Sequence, residues 1–184
     1  VTNQIIIVGF MGTGKTAVAL ELARRLRCQV VDLDALITNY EGRSPREIIE
    51  QDGENRFREI ETQRLREVLL EGTARVVAVG GGAWTISQNR KTIADHEAFV
   101  VWLDAPFELC WKRITAGGEE RPLARSRELA EKLFRERRPS YELADARITI
   151  AEDESVAAIA AKIIHEYSQK ITSTSETFET PIGS

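Results

Sequence analysis

The sequence predicts an α/β domain built on a parallel, doubly wound sheet. Short β-branched runs recur along the chain, and amphipathic segments of helical length separate them. The runs also lack strict polar–apolar alternation, as expected of strands covered on both faces. A length of 184 residues fits one domain with a sizeable core and leaves little room for a second.

The first strand is read at Ile5-Ile6-Ile7-Val8 and the second at Val30-Val31. Val76-Val77-Ala78-Val79, Phe99-Val100-Val101-Trp102-Leu103 and Ile148-Thr149-Ile150 supply three more. Between them, Thr16 to Leu26 repeats Leu20, Ala23 and Leu26 at helical spacing, and Phe57 to Leu69 puts Phe57, Ile60, Leu65, Val68 and Leu69 on one face. Ala116-Gly117-Gly118 and Glu119-Glu120-Arg121-Pro122 form the clearest interior loop, a candidate mobile cover, and the charged helical run Glu128 to Arg138 follows it. A last amphipathic helix is expected at about Ser155 to Tyr167. Thr172 to Thr180 is Ser/Thr-rich with few large apolar residues, so a frayed tail is expected there.

Composition narrows the function classes. With 25 basic against 29 acidic side chains, the net charge of −4 argues against a general nucleic-acid or anionic-membrane binder, though not against a small anionic substrate. No apolar run approaches the ~20 residues of a membrane-spanning helix, and Val1 to Val8 carries no basic stretch ahead of its apolar residues. Cys28 and Cys110 are too few and too far apart for a disulfide framework or zinc site, which favours a reducing cytoplasm and buried thiols. With only His96 and His165 as imidazoles, His-rich metal sites and Ser-His-Asp or Cys-His triads are disfavoured.

Gly9-Phe10-Met11-Gly12-Thr13-Gly14-Lys15-Thr16 fits the pattern G-x-x-x-x-G-K-[ST], directly after the first strand and before the first helical segment. That context is what a phosphate cradle needs. Glycine torsions turn successive N–H groups inward, and the N-terminus of the following helix adds positive dipole. Gly12, Thr13 and Gly14 then surround the phosphates of ATP or GTP, Lys15 reaches the β/γ-phosphates and Thr16 ligates Mg²⁺. No N-K-x-D stretch for guanine recognition occurs, so a small-molecule kinase is the natural size class.

Further along stand Asp32-Leu33-Asp34, Phe57-Arg58-Glu59-Ile60-Glu61, Gly80-Gly81-Gly82-Ala83, Arg121-Pro122-Leu123 and Arg137-Arg138-Pro139-Ser140-Tyr141. In this order and spacing, behind the Gly9–Thr16 motif, the set resembles the shikimate kinase family from about Gln4 to Tyr167. The resemblance implies a three-layer P-loop kinase fold, with a five-stranded parallel sheet flanked by helices. It places the core in residues 1–170, a substrate-binding helical region at about 33–60, a mobile lid at about 114–126 and a flexible tail at 171–184. It implies ATP-dependent phosphorylation of the 3-hydroxyl of shikimate, with ATP and Mg²⁺ as cofactors, on the route to chorismate and aromatic amino acids. A cytoplasmic monomer with small-molecule partners only is implied as well.

Residue by residue, the resemblance assigns Arg58 and Arg137 to the substrate carboxylate, a task suited to planar guanidinium groups. Ion pairing of Arg58 with Glu54 or Glu61 on a solvated helix is the plainer alternative. Asp34 is implied to orient the substrate hydroxyls and accept a proton, and Asp32 to lie near Mg²⁺. Alternation along an extended segment would put the two on one side. An aspartate before Ala35-Leu36-Ile37 also suits a helix N-cap. Gly80, Gly81 and Gly82 offer backbone to the ligand or simply make a tight turn. Arg121, in the lid, would bring positive charge to the transferring phosphoryl group; the alternative is a mobile loop kept only for solubility. Arg113 aligns with a residue that packs on adenine.

The chain departs from the family pattern in two places. Glu152-Asp153-Glu154-Ser155 lacks a proline found in some relatives on the other adenine face, and Trp84 stands where a smaller aliphatic residue is usual. Trp84 is expected to pack under the sheet edge rather than touch substrate. Two rival readings are a gluconate kinase and a nucleotide-binding regulatory relative without turnover. The second is disfavoured because Lys15, Thr16, Asp32, Asp34, Arg58, Arg121 and Arg137 are all present.

Overall fold

In a computed structural model, residues 4–117, 123 and 125–176 are described, the side chains of 173–176 excepted. Five strands form one sheet: β1 (Ile5–Val8), β2 (Val30–Asp32), β3 (Val76–Ala78), β4 (Phe99–Asp104) and β5 (Ala146–Thr149), in the spatial order β2-β3-β1-β4-β5. Every pairing is parallel, with Ile5 aligned to Val76 on one side and to Phe99 on the other. The helices are α1 (Lys15–Leu26), α2 (Leu33–Glu41), α3 (Pro45–Asp52), α4 (Glu54–Glu71), α5 (Ser87–Asp95), α6 (Phe107–Ala116), α7 (Arg127–Tyr141) and α8 (Val156–Glu176). The expected α/β class is therefore observed.

β1 is the axis of the core. Ile5, Ile6, Ile7 and Val8 are each wholly buried, as continuous apolar strands are when both sheet faces are covered. Below the strand, Gln4 is also buried and donates through Nε2 to Ala74 O at 2.9 Å. Cys110 is buried as expected, and burial pushes its thiol up to about 11; Cys28 is only partly buried against the core.

Local signals set most element ends. Before α3, Ser44-Pro45-Arg46-Glu47 makes a capping box: Glu47 N donates to Ser44 Oγ, while Ser44 N donates to Glu47 Oε2 at 2.7 Å. Pro45 occupies the first turn, where its missing N–H costs nothing. Gly42 and Gly72 close α2 and α4 with left-handed torsions.

Three boundaries differ from the sequence reading. The run expected to end at Arg138 continues through Pro139 to Tyr141. The last helix, expected to stop near Tyr167, runs on to Glu176, so its final part replaces the first residues of the expected tail. At the second strand, the chain is already helical from Leu33, and the alternation invoked for Asp32 and Asp34 does not apply. Residues 118–122 and 124 of the expected lid, including Arg121, lie outside the described residues, as does the tail beyond 176.

Replacing Ile6 by Ala deletes volume where neighbouring strands leave no room to collapse, and is expected to cost about 2–5 kcal/mol in a urea unfolding curve. Leu70→Ala, at a position 68% exposed, is expected to stay within about 0.5 kcal/mol of the parent.

Candidate functional site

Strand order brings three loops to the carboxyl edge of the sheet. β1 lies between β3 and β4, so the chain leaves it at the point where the connections diverge to either side, the usual ligand crevice of a parallel α/β sheet. Ile7 and Asp32 each align with Ala78, which sets the loop after β1, the start of α2 and the turn after β3 side by side. Together they border a cavity of about 1060 Å³.

The loop after β1 is held by its own carbonyls. Thr13 Oγ1 and Lys15 Nζ donate to Phe10 O at 2.8 and 3.0 Å, and Arg113 Nη1 donates to Gly12 O and Thr13 O, both at 3.3 Å. Gly12 has φ +80°, and a Cβ there would sit 2.6 Å from Cys110 O, so both torsion and space require glycine. Lys15 and Thr16 open α1, whose N-terminus points its positive dipole into the loop. Arg113, expected beside adenine, thus clasps the loop from α6. Lys112, next to it, pairs with Glu152 at 2.7 Å, in the segment that lacks the proline.

Asp32 caps α2. Its Oδ1 accepts from Asp34 N at 3.1 Å and from Ala35 N at 3.2 Å, while Oδ2 accepts from Thr16 Oγ1 at 2.5 Å. The cap role weighed for Asp34 therefore belongs to Asp32, and Asp34 sits in the first turn lining the cavity with Asp32 and Thr16. The two aspartates do reach one cleft, through a strand end followed by a helical turn.

The turn Gly80–Gly82 is packed so tightly that a side chain at either end would displace a charged neighbour. A Cβ on Gly80 would collide with Glu61 Oε1 and come within 3.1 Å of Asp34 Oδ1, and one on Gly82 would collide with the Arg58 guanidinium. On Gly81 it would lie 3.3 Å from Arg137 Nη1. Four charged side chains thus converge on one stretch of bare backbone. The glycines make the tight turn weighed as the plainer reading and also admit these side chains at close range.

Arg58 and Arg137 differ in their partners. Arg58 Nη1 donates to Glu61 Oε2 at 2.6 Å and Nη2 to Glu54 Oε1 at 3.0 Å, so the ion pairs weighed as an alternative are present. The face is not solvated, however, since Glu61 is 0% exposed and Arg58 lines the cavity. Burial alone would lower the Arg58 pKa, but Glu61 and Glu54 outweigh it and raise it. Burial pushes the Glu61 carboxyl up from its ordinary range, against the pull of Arg58. Arg137 is 7% exposed, and among the described residues no carboxylate forms an ion pair with it. Burial lowers its pKa, Arg58 adds to that effect, and a hydrogen bond with the Tyr141 hydroxyl opposes it. Glu54 and Glu61 act on it only at a distance, so a buried cation so placed has no directly paired counter-charge, which a bound carboxylate would supply.

Glu61 and Tyr141 are site residues that the sequence reading quoted within motifs without a role. Tyr141 Oη donates to Gly81 O at 2.5 Å, and its ring stacks on Trp102 at 6.0 Å between centroids. Met11, Thr38, Ile49, Phe57 and Leu123 also line the cavity. Apolar wall residues of this kind have no signature apart from core positions. Trp84 is buried and does not line the cavity, as expected, but its indole is fastened to the end of α7 through Ser140 O.

Residues 11–168 match the family model described as shikimate kinase. Shikimate kinase of Geobacter sulfurreducens is 43% identical over 153 residues, covering 81% of this chain and 82% of its own. The enzyme of the same name from Synechococcus sp. (strain JA-3-3Ab) is 36% identical over 163 residues, covering 86% and 84%. Among solved structures, shikimate kinase from Acinetobacter baumannii in complex with shikimate superimposes with a TM-score of 0.80 at 35% identity, covering 93% of each chain. A family match over most of the chain, with relatives spanned over most of their length, means that the chain belongs to the shikimate kinase family.

Proposed function

We propose that the cavity holds shikimate by its carboxylate between Arg58 and Arg137 and presents the 3-hydroxyl to the γ-phosphate of ATP bound on the loop after β1. The observation that carries this reading is Arg137, a buried cation beside Arg58 with no carboxylate of the described chain to pair with. Two guanidinium groups on either side of a turn rich in backbone N–H suit a carboxylate ligand, and the adjacent Asp34 and Glu61 suit its hydroxyls.

Phosphoryl transfer passes through a loose transition state, so positioning and charge neutralisation dominate. Asp34 orients the attacking hydroxyl and takes its proton as the oxygen–phosphorus bond forms and the bond to the leaving ADP breaks. Lys15 and the N–H groups of Gly12, Thr13 and Gly14 hold the phosphates, with the α1 dipole behind them. Thr16 and Asp32 fit a magnesium ion carried by the nucleotide, because a hydroxyl and a carboxylate 2.5 Å apart make an all-oxygen donor pair on the cavity wall. When bound, that ion neutralises charge on the phosphates. Gly80 and Gly81 offer backbone contacts to substrate and γ-phosphate, Gly82 gives Arg58 room, and Arg113 flanks the nucleotide. Arg121 enters on sequence alone, as the positive charge that meets the transferring phosphoryl group. The reading includes a cytoplasmic monomer; among the described residues no helix is long and apolar enough to cross a membrane.

ADP release from MgATP should rise strongly with shikimate and stay at background with gluconate or quinate. Stimulation by gluconate instead would assign a sugar-acid kinase, and ATP binding without stimulation by any acceptor would assign a regulatory module. Lys15→Ala and Asp34→Ala are each expected to lower kcat by about a hundredfold or more with unfolding midpoints retained; near-normal turnover removes that residue from the mechanism. Arg58→Ala and Arg137→Ala should raise the KM for shikimate by about ten- to a hundredfold, as loss of a charged hydrogen bond does, while the KM for ATP changes little. An unchanged shikimate KM in both variants would refute the carboxylate clamp.

A further inference from the structure

Arg137 and the glycine turn come from distant parts of the chain, yet the proposed clamp needs them at a set separation. Two hydrogen bonds span the gap, one donated from each side. Tyr141 Oη donates to Gly81 O, and Trp84 Nε1 donates to Ser140 O at 2.8 Å, between residues 56 apart in sequence.

The Trp84 bond falls in the last turn of α7, beyond the helix's own backbone ladder. Pro139 lies inside the helix, next to Ser140, and has no N–H for the backbone ladder, so the turn that carries Arg137 is short of one internal bond. Besides the indole, Ser140 O faces only backbone donors past the helix end, Leu143 N at 3.2 Å and the N–H of Glu142. Trp84 is itself anchored. It is 4% exposed in the 3-10 turn Ala83–Thr85, and its carbonyl accepts from Arg90 Nη1 of α5 at 2.8 Å. The turn's start is tied back to the glycines by Ala83 N donating to Gly80 O at 3.0 Å.

We propose that Trp84 is a positioning residue for substrate binding: its indole N–H pins the last turn of α7 to the glycine turn and so sets the Arg137 guanidinium relative to Arg58. This rests on the reading of Arg137 as a carboxylate ligand. An aliphatic or phenyl side chain at position 84 fills space but donates nothing to Ser140, and the span is then held by the Tyr141–Gly81 bond alone.

Trp84→Phe tests this by steady-state kinetics and thermal unfolding. The shikimate KM is expected to rise about three- to tenfold, the range for loss of one hydrogen bond, with the ATP KM and the unfolding midpoint little changed and kcat lowered less than twofold. A residue that only fills the core would lower the midpoint without separating the two KM values, and a shikimate KM within twofold of the parent overturns the proposal. If Trp84→Phe does not fold, site-specific β-(3-benzothienyl)alanine at position 84, with sulfur in place of N–H and the same ring shape, carries the same test.

Arg137→Ala and the double variant run in parallel. Once Arg137 is absent, Trp84→Phe should add nothing to the shikimate KM; an additive effect means that Trp84 acts elsewhere. If Arg137→Ala itself leaves that KM unchanged, Arg137 is no carboxylate ligand and this proposal fails with that role. If Arg137→Ala raises it and Trp84→Phe does not, only the role of Trp84 fails.

Discussion

Two cations are held against one piece of bare backbone, and much of the site follows from how they are kept there. A Cβ on Gly82 would collide with Arg58 and one on Gly81 would lie 3.3 Å from Arg137, and both guanidinium groups are largely buried. Buried like charges repel, so the fold must supply compensation. Arg58 receives it by direct pairing with Glu61 and Glu54, and Arg137 only in part, from the Tyr141 hydroxyl and the more distant Glu54. The imbalance gives the cavity a preference for an anion on the α7 side. It also requires mechanical support there, which Tyr141, Trp84 and the stacking of Tyr141 on Trp102 provide.

The sheet does a different job. Parallel strands of matched register end together, so the loop after β1, the cap of α2 and the glycine turn after β3 lie within reach of one another without long connections. Asp32 joins two of these parts: one carboxylate oxygen caps α2, and the other accepts the hydroxyl of Thr16 at the start of α1. A residue proposed to support a metal thereby also fixes the helix that carries Asp34. Behind this edge, Arg138 and Arg147 both bind Asp104 at the end of β4 and lie over the Trp102 ring, which anchors α7 to the sheet.

Much of this was legible in the amino-acid order. The Gly9–Thr16 loop, the five strands and the ordered motifs each rest on local spacing, and local spacing survives folding. Glu61 was not legible as a site residue, because an acidic residue one turn after Arg58 reads as an ordinary surface pair until α4 is seen to bury it. The cap role was weighed at Asp34 rather than Asp32, because only the structure shows the chain already helical at Leu33. Pro139 suggested an end to α7 that packing overrode for one further turn.

By itself the sequence determined the class of fold, the phosphate-binding loop and the family of the chain, since these depend on residue types at short, fixed separations. Tertiary structure decided which charges share a cavity, which are compensated and which await a ligand. Burial and the meeting of α4, α7 and the glycine turn are properties of the packed chain: desolvation turns an arginine that could be an exposed helix charge into an unsatisfied cation.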